Sequence, residues 1–577
     1  MLQEIQFRII SQCFIIISIC LCADKLNAQT TNFDWVKQLG GNSDEEAYSV
    51  VVDVIGNVYT TGHFTGTTDF DPDSTGVYNL TSNGSYDIFI SKLDSAGNFL
   101  WAKAVGGTST DRGEALTVDQ SSNVYVTGFF SDTVDFDPGA AVANHFAFSN
   151  FGMFILKLDA AGNFIWVKQM GGGIPGAAEG NSIVLDGNNN IYTTGFFIAS
   201  VDFDPGADST ILNSNGNQDI FILKLDAAGN FNWVKQVGGA AEDNAYSIAN
   251  HSGDIYVTGK FMGSLVDFNV GSGVDYLTAT GTADIFLLKL DTAGIYSWAK
   301  HIGSTSVNTG FGVAVDGFGN AVITGNFYGT TDFDPGISAF DMTADAGGEP
   351  FVAKYDQAGS FLWAKQMTGS VYYSAGKNIF VDLHNDIYTI GFFQGTVDFD
   401  PGVGVADLTS AGSLTIDIYI SKLDDAGNFR YAKQLGGTSW DYGNSIAIDN
   451  WGNVYSVGSF QDVVDFNQES GIFMVGPAVG SDIYIHKMSQ DGFTGVVNAE
   501  TDFENRFYPN PTDGKLSISI GNQPFRFCFY NTLGKQVLNG NSSNSNIAVD
   551  LAELPSGIYF LTINSKSKSF STKIIKE

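Results

Sequence analysis

Apolar and polar residues alternate along short runs, and the runs return in the same order again and again. Residues 163–206 show the unit: NFIWVKQMGGG, NSIVLDGNNNIYTTGFF and VDFDPG, completed by DIFILKLDAAGN at 219–230. Strict alternation bounded by Gly, Asn and Asp predicts half-buried β-strands rather than helices. Near-copies fill most of the chain, so the expected architecture is a repeat.

Each period holds four strands. Trp35, Trp101, Trp166, Trp233, Trp298 and Trp363 occupy one repeat position, with Tyr431 as the seventh, at intervals of 65 to 68 residues. Two further strands flank a short polar turn, as in VVVDVIGNVYTTGHF at 50–64, LTVDQSSNVYVTGFF at 116–130 and IAIDNWGNVYSVGSF at 446–460. Gly62, Gly128, Gly195, Gly259, Gly325, Gly391 and Gly458 recur near the end of the second of these, which predicts a bulge or a close backbone approach. The remaining strand is DIFI-x-KLD at 87–94, 219–226, 284–291 and 417–424, with looser copies at 152–159, 349–356 and 482–489.

Four-stranded units at this spacing predict an all-β fold, a β-propeller of radially packed blades. Seven tryptophan-type strands begin at Phe33, and seven three-strand sets end near Ser489. The expectation is therefore seven blades, with Phe33–Leu39 supplying the outer strand of the blade at 443–489 and closing the ring.

Composition sets the compartment. A run from Cys13 to Cys22 (CFIIISICLC) after Arg8, with Leu26-Asn27-Ala28 before Gln29, reads as a signal peptide over 1–28, too short to span a bilayer as a mature helix. Three of the four cysteines fall inside it, so Cys528 stands alone in the mature chain and packing must replace disulfides. Residues 1–28 balance, residues 502–577 hold six acids against eight bases, and the middle carries −36 of the total −34. Such a field repels phosphates and argues against nucleic acid or anionic membrane as partners. Half of the 28 basic residues are lysines in register. Lys92, Lys157, Lys224, Lys289, Lys354, Lys422 and Lys487 lie on the third strands, and Lys37, Lys103, Lys168, Lys235, Lys300, Lys365 and Lys433 on the fourth. The expected role is edge protection and pairing with acids such as Asp87, Asp219 and Asp417.

Candidate chemistry is sparse. The second-to-third connections carry five Asp-Phe-Asp pairs, Asp69/Asp71, Asp135/Asp137, Asp202/Asp204, Asp332/Asp334 and Asp398/Asp400, with Asp267/Asn269 and Asp465/Asn467 as variants. They could offer oxygen ligands to Ca²⁺, but the third acid and terminal glutamate of an EF-hand loop are missing, and a structural turn is the favoured reading. The six histidines, His63, His145, His251, His301, His384 and His486, share no repeat position and form no metal-ligand spacing. No nucleophile elbow, phosphate loop, zinc signature or sialidase Asp-box is present. No catalytic, cofactor or metal residue is assigned. Variable loops such as 40–46 and 238–244 open on one face with the long connections, and Arg112, Trp440 and Tyr442 fall there.

The VD-x-x-GN-x-Y-x-TG-x-F and KLD-x-AGNF-x-W elements over residues 33–494 resemble the SBBP β-propeller repeat, a family of bacterial extracellular repeats. That resemblance implies a fold and an exported location, without one shared activity. Beyond a linker at 495–503, FYPNPTDGKLSISI at 507–520, YNTLGKQV at 530–537, LPSGIYFLTI at 554–563 and the terminal KIIKE resemble the C-terminal sorting domain of the type IX secretion system. For residues 504–577 this implies a small Ig-like β-sandwich that engages the secretion machinery in the outer envelope of Gram-negative bacteria. Together they imply a secreted or cell-surface protein, reached through Sec-type export. The leading expectation is a non-enzymatic propeller presenting an acidic loop face to a glycan or extracellular protein. A polysaccharide hydrolase or lyase, and a structural envelope protein with repeated calcium sites, are the alternatives. An active site should reveal itself by breaking the repeat symmetry and gathering unlike polar residues in the central funnel.

Overall fold

The computed structural model describes residues 29–491, save 74, 148–149, 172–175, 346, 370–371, 413 and 468–471, together with most of 505–576. The signal peptide expected over 1–28 and the linker expected over 495–503 lie outside the described residues. Every regular element described is a strand.

Residues 31–490 form seven sets of four antiparallel strands. The first strands are Glu46–Val52, Arg112–Val118, Gly176–Leu185, Asn244–His251, Thr309–Val315, Ala375–Val381 and Tyr442–Ile448. In six sets the four strands follow in chain order, with short hairpin strands between the second and the third. The seventh takes its fourth strand from the start of the chain: Thr31–Leu39 pairs with Met474–Gln490, setting Trp35 opposite Lys487 and Gln38 opposite Tyr484. First strands of successive sets lie against one another, and Tyr442–Ile448 lies against Glu46–Val52. Serine hydroxyls stitch several of these contacts: Leu116 N donates to Ser49 Oγ (3.2 Å), Val313 N to Ser247 Oγ (3.1 Å) and Val50 N to Ser445 Oγ (3.2 Å).

The repeated residues each do a definable job. In the Asp-x-x-Gly-Asn turn, Asp53 Oδ1 accepts from the N–H groups of Ile55 and Asn57, while Oδ2 accepts from Asn57 Nδ2 and the Tyr59 hydroxyl. That arrangement satisfies the turn's donors without water. The phenylalanine of Asp-Phe-Asp is fully buried: the Phe70 ring packs 5.4 Å from Phe64 and 5.2 Å from Phe89. Each such ring contributes about 1.5–3 kcal/mol by leaving water. The recurrent second-strand glycine meets the expectation of a close approach, because a Cβ on Gly62 would fall 1.9 Å from the Glu46 carbonyl oxygen. The bulge itself lies on the facing first strand, between Ala47 and Ser49.

The third-strand lysines depart from the expected edge role, while the expected pairing with acids is met by other partners: Lys289 with Asp254 (2.8 Å), Lys354 with Asp316 (2.8 Å) and Lys422 with Asp386 (2.9 Å). Third-strand Lys92, Lys289, Lys354 and Lys422 are buried, because their strand lies between the second and fourth strands rather than at an edge. Their ammonium groups reach the next set: Lys92 Nζ and Trp101 Nε1 both donate to the Ala160 carbonyl (3.2 Å each), and Lys289 and Trp298 do the same to Gln357 (3.1 and 3.0 Å). Asp219 and Asp417 sit at the far end of the strand and accept instead from Gln236 (2.7 Å) and Gln434 (2.6 Å).

The C-terminal segment forms a three-stranded sheet, Asn505–Tyr508, Lys515–Ile520 and Asn546–Asp550, and a four-stranded one, Gln536–Ser542, Phe525–Asn531, Gly557–Ser565 and Ser569–Lys576. Leu516 and Ile518 of the first share one cluster with Phe529, Leu561 and Ile574 of the second. The turn residues Pro509, Pro511 and Asp513 lie outside the described residues.

Candidate functional site at the pore mouth

Each first strand carries a bulge at the same place, just after a small residue: Ala47, Gly113, Gly180, Ala245, Gly310, Gly376 or Gly443. The bulged residue has no cross-strand partner, so its side chain is released from the ladder. Those seven residues are Tyr48, Glu114, Asn181, Tyr246, Phe311, Lys377 and Asn444, and all seven line one cavity of about 970 Å³ bounded by the seven first strands. Glu46, Glu179, Tyr373 and Tyr442 join them. A position that is structurally equivalent in every set is thus chemically different in nearly every one.

The mouth has two unlike sides. Glu46, Glu114 and Glu179 come from the first three sets, and Tyr246, Phe311, Tyr373 and Tyr442 from the other four. Both asparagines brace the ring: Asn181 Nδ2 donates to Asn244 Oδ1 (2.9 Å) and the Ala245 carbonyl (2.8 Å), and Asn444 Nδ2 to Glu46 Oε1 and the Ala47 carbonyl (2.9 Å each). The Tyr48 hydroxyl donates to Glu46 Oε2 (3.1 Å). Lys377 Nζ stands 4.2 Å over the Phe311 ring, whose centroid is 5.3 Å from that of Tyr246. Arg112 lies among the rings of Tyr48, Tyr86 and Phe129, at 6.0, 5.4 and 6.0 Å.

Depth in the cavity dominates the electrostatics. Desolvation, then repulsion from Glu179, lifts Glu114 well above the ordinary carboxylate range, with Arg112 and Lys377 partly offsetting it. Glu179 is lifted by desolvation against the pull of Arg112. Desolvation lowers Lys377, opposed by Glu46 and Glu114. Two neighbouring carboxyl groups in such a place share protons rather than ionise together. His63, buried beside Arg112 with its ring 4.4 Å from that of Tyr86, is pushed down to about 3 by desolvation and stays neutral.

Of the loop residues singled out from the sequence, Tyr442 lines the cavity, Arg112 lies behind the lining residue Tyr48, and Trp440 is exposed with its ring 6.3 Å from that of Tyr442. Glu46, Glu114, Glu179, Tyr246, Phe311 and Lys377 escaped sequence reasoning. Aligning the sets on the small residue would have exposed them, since the neighbours read Glu-Ala-Tyr, Arg-Gly-Glu, Glu-Gly-Asn, Asn-Ala-Tyr, Thr-Gly-Phe, Ala-Gly-Lys and Tyr-Gly-Asn. The Asp-Phe-Asp turns lie elsewhere: Asp69 Oδ1 accepts from the N–H groups of Asp71 (3.0 Å) and Tyr78 (2.8 Å), and Asp135 Oδ1 likewise from Asp137 (3.1 Å) and Ala143 (2.8 Å). Among the described residues no group of three or more His, Cys, Asp or Glu is placed to hold a metal ion.

Residues 165–195 and 430–459 match the beta-propeller repeat model, and residues 506–577 match the secretion system C-terminal sorting domain. The chain carries SBBP propeller repeats and a type IX sorting tail. The sorting tail directs such a protein to the cell surface or to secretion, and among the described residues no helix is long and apolar enough to cross a membrane. An uncharacterized WD repeat-containing protein, L264 of Acanthamoeba polyphaga mimivirus, is 25% identical over 503 residues, covering 74% of this chain and 36% of that protein. Regulatory protein FlaEY of Caulobacter vibrioides is 24% identical over 184 residues, covering 31% and 19%. The SBBP-repeat chain therefore spans only about a third of the first relative's length and a fifth of the second's. Among solved structures, PorZ, a surface component of the type IX secretion system of Porphyromonas gingivalis, aligns at 13% identity and a TM-score of 0.30, covering 92% of this chain and 70% of PorZ. Sqt1 of Chaetomium thermophilum aligns at 10% identity and 0.38, covering 80% and 100%. Scores this low establish neither a shared fold nor a shared role.

Proposed function

We propose that this exported protein is a closed seven-bladed propeller over residues 33–494 that binds a carbohydrate at the mouth of its pore. Residues 1–28 would direct Sec-type export, and residues 504–577, as an Ig-like sandwich, would engage the type IX machinery. The observation that carries the reading is the loss of repeat symmetry at one ring of seven equivalent bulges. Elsewhere most sets reuse the same Asp, Gly, Lys and Trp for the same contacts, so divergence at a recessed ring of equivalent bulges points to selection for a ligand rather than for stability. Tyrosine and phenylalanine faces suit the C–H faces of sugar rings, and carboxyl, amide and ammonium groups suit their hydroxyls. A recess of this kind admits a glycan end more readily than a flat protein surface. The mature full-length chain on a glycan array tests the reading: binding lost in Tyr246→Ala and Glu114→Gln supports it, and no bound glycan removes it.

The hydrolase alternative gains support from one observation, the elevated neighbouring carboxyl groups of Glu114 and Glu179, a pattern that suits a general acid beside a base. Release of reducing ends from a glycan that binds would convert the binding site into an active site. The Asp-Phe-Asp turns are read as structural, with repeated calcium sites there as the alternative that chelation tests.

A further inference from the structure

A second set of carboxyl groups lies just behind the mouth. In the fifth set, the buried acid that opens the preceding third strand, Asp284, accepts a hydrogen bond through Oδ1 from Nδ2 of Asn308, which precedes the next first strand (3.2 Å). At the equivalent place four other sets put a second acid. Asp111, Asp243, Asp441 and Glu45 donate their N–H groups to the carbonyls of Tyr86 (2.8 Å), Gln218 (2.9 Å), Ile416 (3.0 Å) and Ser481 (2.8 Å), each the residue just before Asp87, Asp219, Asp417 or Asp482, which sets the two acids of each pair side by side. All eight side chains are at most 3% exposed, and Oδ1 of Asp87, Asp219, Asp417 and Asp482 has no hydrogen-bond partner.

In three of the pairs the second acid fastens backbone at two points, while Glu45 accepts from the Thr68 hydroxyl (2.8 Å). Asp111 accepts from Gly107 N and Ser131 N (2.8 Å each), Asp243 from Gly239 N (2.7 Å) and Met262 N (2.9 Å), and Asp441 from Gly437 N (2.8 Å) and Gln461 N (3.2 Å). It thereby ties the incoming loop to the exit of the second strand. The residues that follow are Arg112 and Glu114, Asn244 and Tyr246, Tyr442 and Asn444, and, after Glu45, Glu46 and Tyr48. Four corners of the mouth hang from these acids.

Two carboxylates cannot both stay ionised in so dry a place. A cation is a poor solution, because the surrounding groups are N–H donors, which favour an anion, and among the described residues no group of three or more acids is placed to hold a metal ion. A proton between the two oxygens supplies the missing partner. We propose that these four carboxyl pairs each retain one proton and act as latches on the pore mouth, losing their hold as pH rises past neutrality. The gating rests on the reading of the mouth as a ligand site; the latches do not.

Desolvation above all raises Asp111 and Asp441 to about 7, Asp243 to about 6 and Glu45 to about 8. The charged neighbours that weigh on them are acids: Asp87 and Asp132, Asp417 and Asp462, Asp219, and Asp482 and Asp44 respectively. A folded carboxyl that binds its proton more tightly than in the unfolded chain stabilises the fold at low pH. That contribution is lost as pH climbs from the ordinary carboxylate range through these raised values.

The test is the mature full-length chain against Asp111→Asn/Asp243→Asn/Asp441→Asn, which copies the natural amide of the fifth set. Melting temperature is followed from about pH 5 to about pH 9, with an array-selected glycan titrated in parallel. The expected result is a melting temperature that falls through neutrality more steeply in the parent than in the variant, which keeps the slope of the Glu45–Asp482 pair and of Glu114, with parent affinity dropping at least about tenfold on the alkaline side. A level parent profile, or a variant slope as steep as the parent's, overturns the latch, as does a slope abolished by chelator. A normal melting slope with no glycan bound at any pH leaves the latch standing and removes the ligand reading. Should the triple variant fail to fold, Asp87→Asn alone, with ¹³C titration of the Asp111 carboxyl, decides: a fall of Asp111 from about 7 toward the ordinary range is expected, and no movement overturns the pairing.

Discussion

Trp35 and Lys487, opposite one another across the last strand pair, both donate to the carbonyl of Ser95, Trp35 Nε1 at 3.3 Å and Lys487 Nζ at 3.0 Å. The start and the end of the repeat region thus grip the same turn of the first set. The Tyr455 ring meets the indole edge-on, with the ring centroids 6.2 Å apart. Trp35→Ala should therefore lower stability by about 1.5–3 kcal/mol, the loss of a half-buried indole and one hydrogen bond. Trp440→Ala, which removes an exposed ring, should cost no more than about 0.5 kcal/mol. Urea denaturation of the two variants checks this, and equal losses would mean that the terminal strand is not part of the cooperative fold.

Gly62 and its equivalents allow a second comparison within one chain. A methyl group on Gly62 would meet the Glu46 carbonyl at 1.9 Å and the Ala47 Cα at 2.9 Å, both backbone atoms that cannot step aside. Gly187, in a turn, would meet nothing within 4 Å. Gly62→Ala should cost about 3 kcal/mol or more, whereas Gly187→Ala should be neutral or slightly stabilising. Because Glu46 and Tyr48 flank the bulge that Gly62 accommodates, the first variant should also weaken ligand binding at temperatures where it is still folded.

Much of this scaffold could be read from the sequence because the scaffold residues repeat. Trp35 and its six equivalents, the Asp53-type turns and the Gly62-type glycines recur since each set must solve the same packing problem. The mouth was hidden for the converse reason: Glu114, Tyr246 and Lys377 share a structural position but no chemistry, so a search for recurrence treats them as noise. Third-strand lysines misled differently. The pattern places Lys92 on a strand but cannot say which end faces which neighbour, and its true partner, the Ala160 carbonyl, belongs to the next set.

The pair at the acidic side of the mouth gives a pH prediction of its own. Desolvation and the charge of Glu179 hold Glu114 protonated above the ordinary carboxylate range, so ionising it with rising pH costs the folded state stability. Glu114→Gln removes that cost and should raise the melting temperature on the alkaline side of neutrality while leaving it unchanged near pH 4. Glu179→Gln in turn should lower the Glu114 titration midpoint, which ¹³C NMR of the glutamate carboxyl groups would follow. A Glu114 midpoint that does not move would show the two groups to be electrostatically independent.

The Asp-Phe-Asp turns yield the last prediction, because the chain has already made one of the substitutions. The first aspartate is kept in all seven copies and its Oδ1 takes two backbone donors, as Asp69 does from Asp71 and Tyr78. The second is asparagine in two copies, and Asn269 Oδ1 accepts from Gly271 N at 3.0 Å much as Asp137 Oδ1 accepts from Gly139 N at 2.7 Å. A turn that works equally with an amide needs an acceptor oxygen rather than a charge. Asp137→Asn should accordingly change stability by less than about 0.5 kcal/mol, while Asp135→Ala, which orphans two N–H groups, should cost about 1–3 kcal/mol. Chelator should leave the melting temperature of the parent where it is. A fall of several degrees on chelation, abolished by Asp137→Asn, would instead assign the turns to calcium and make their negative charge part of the fold.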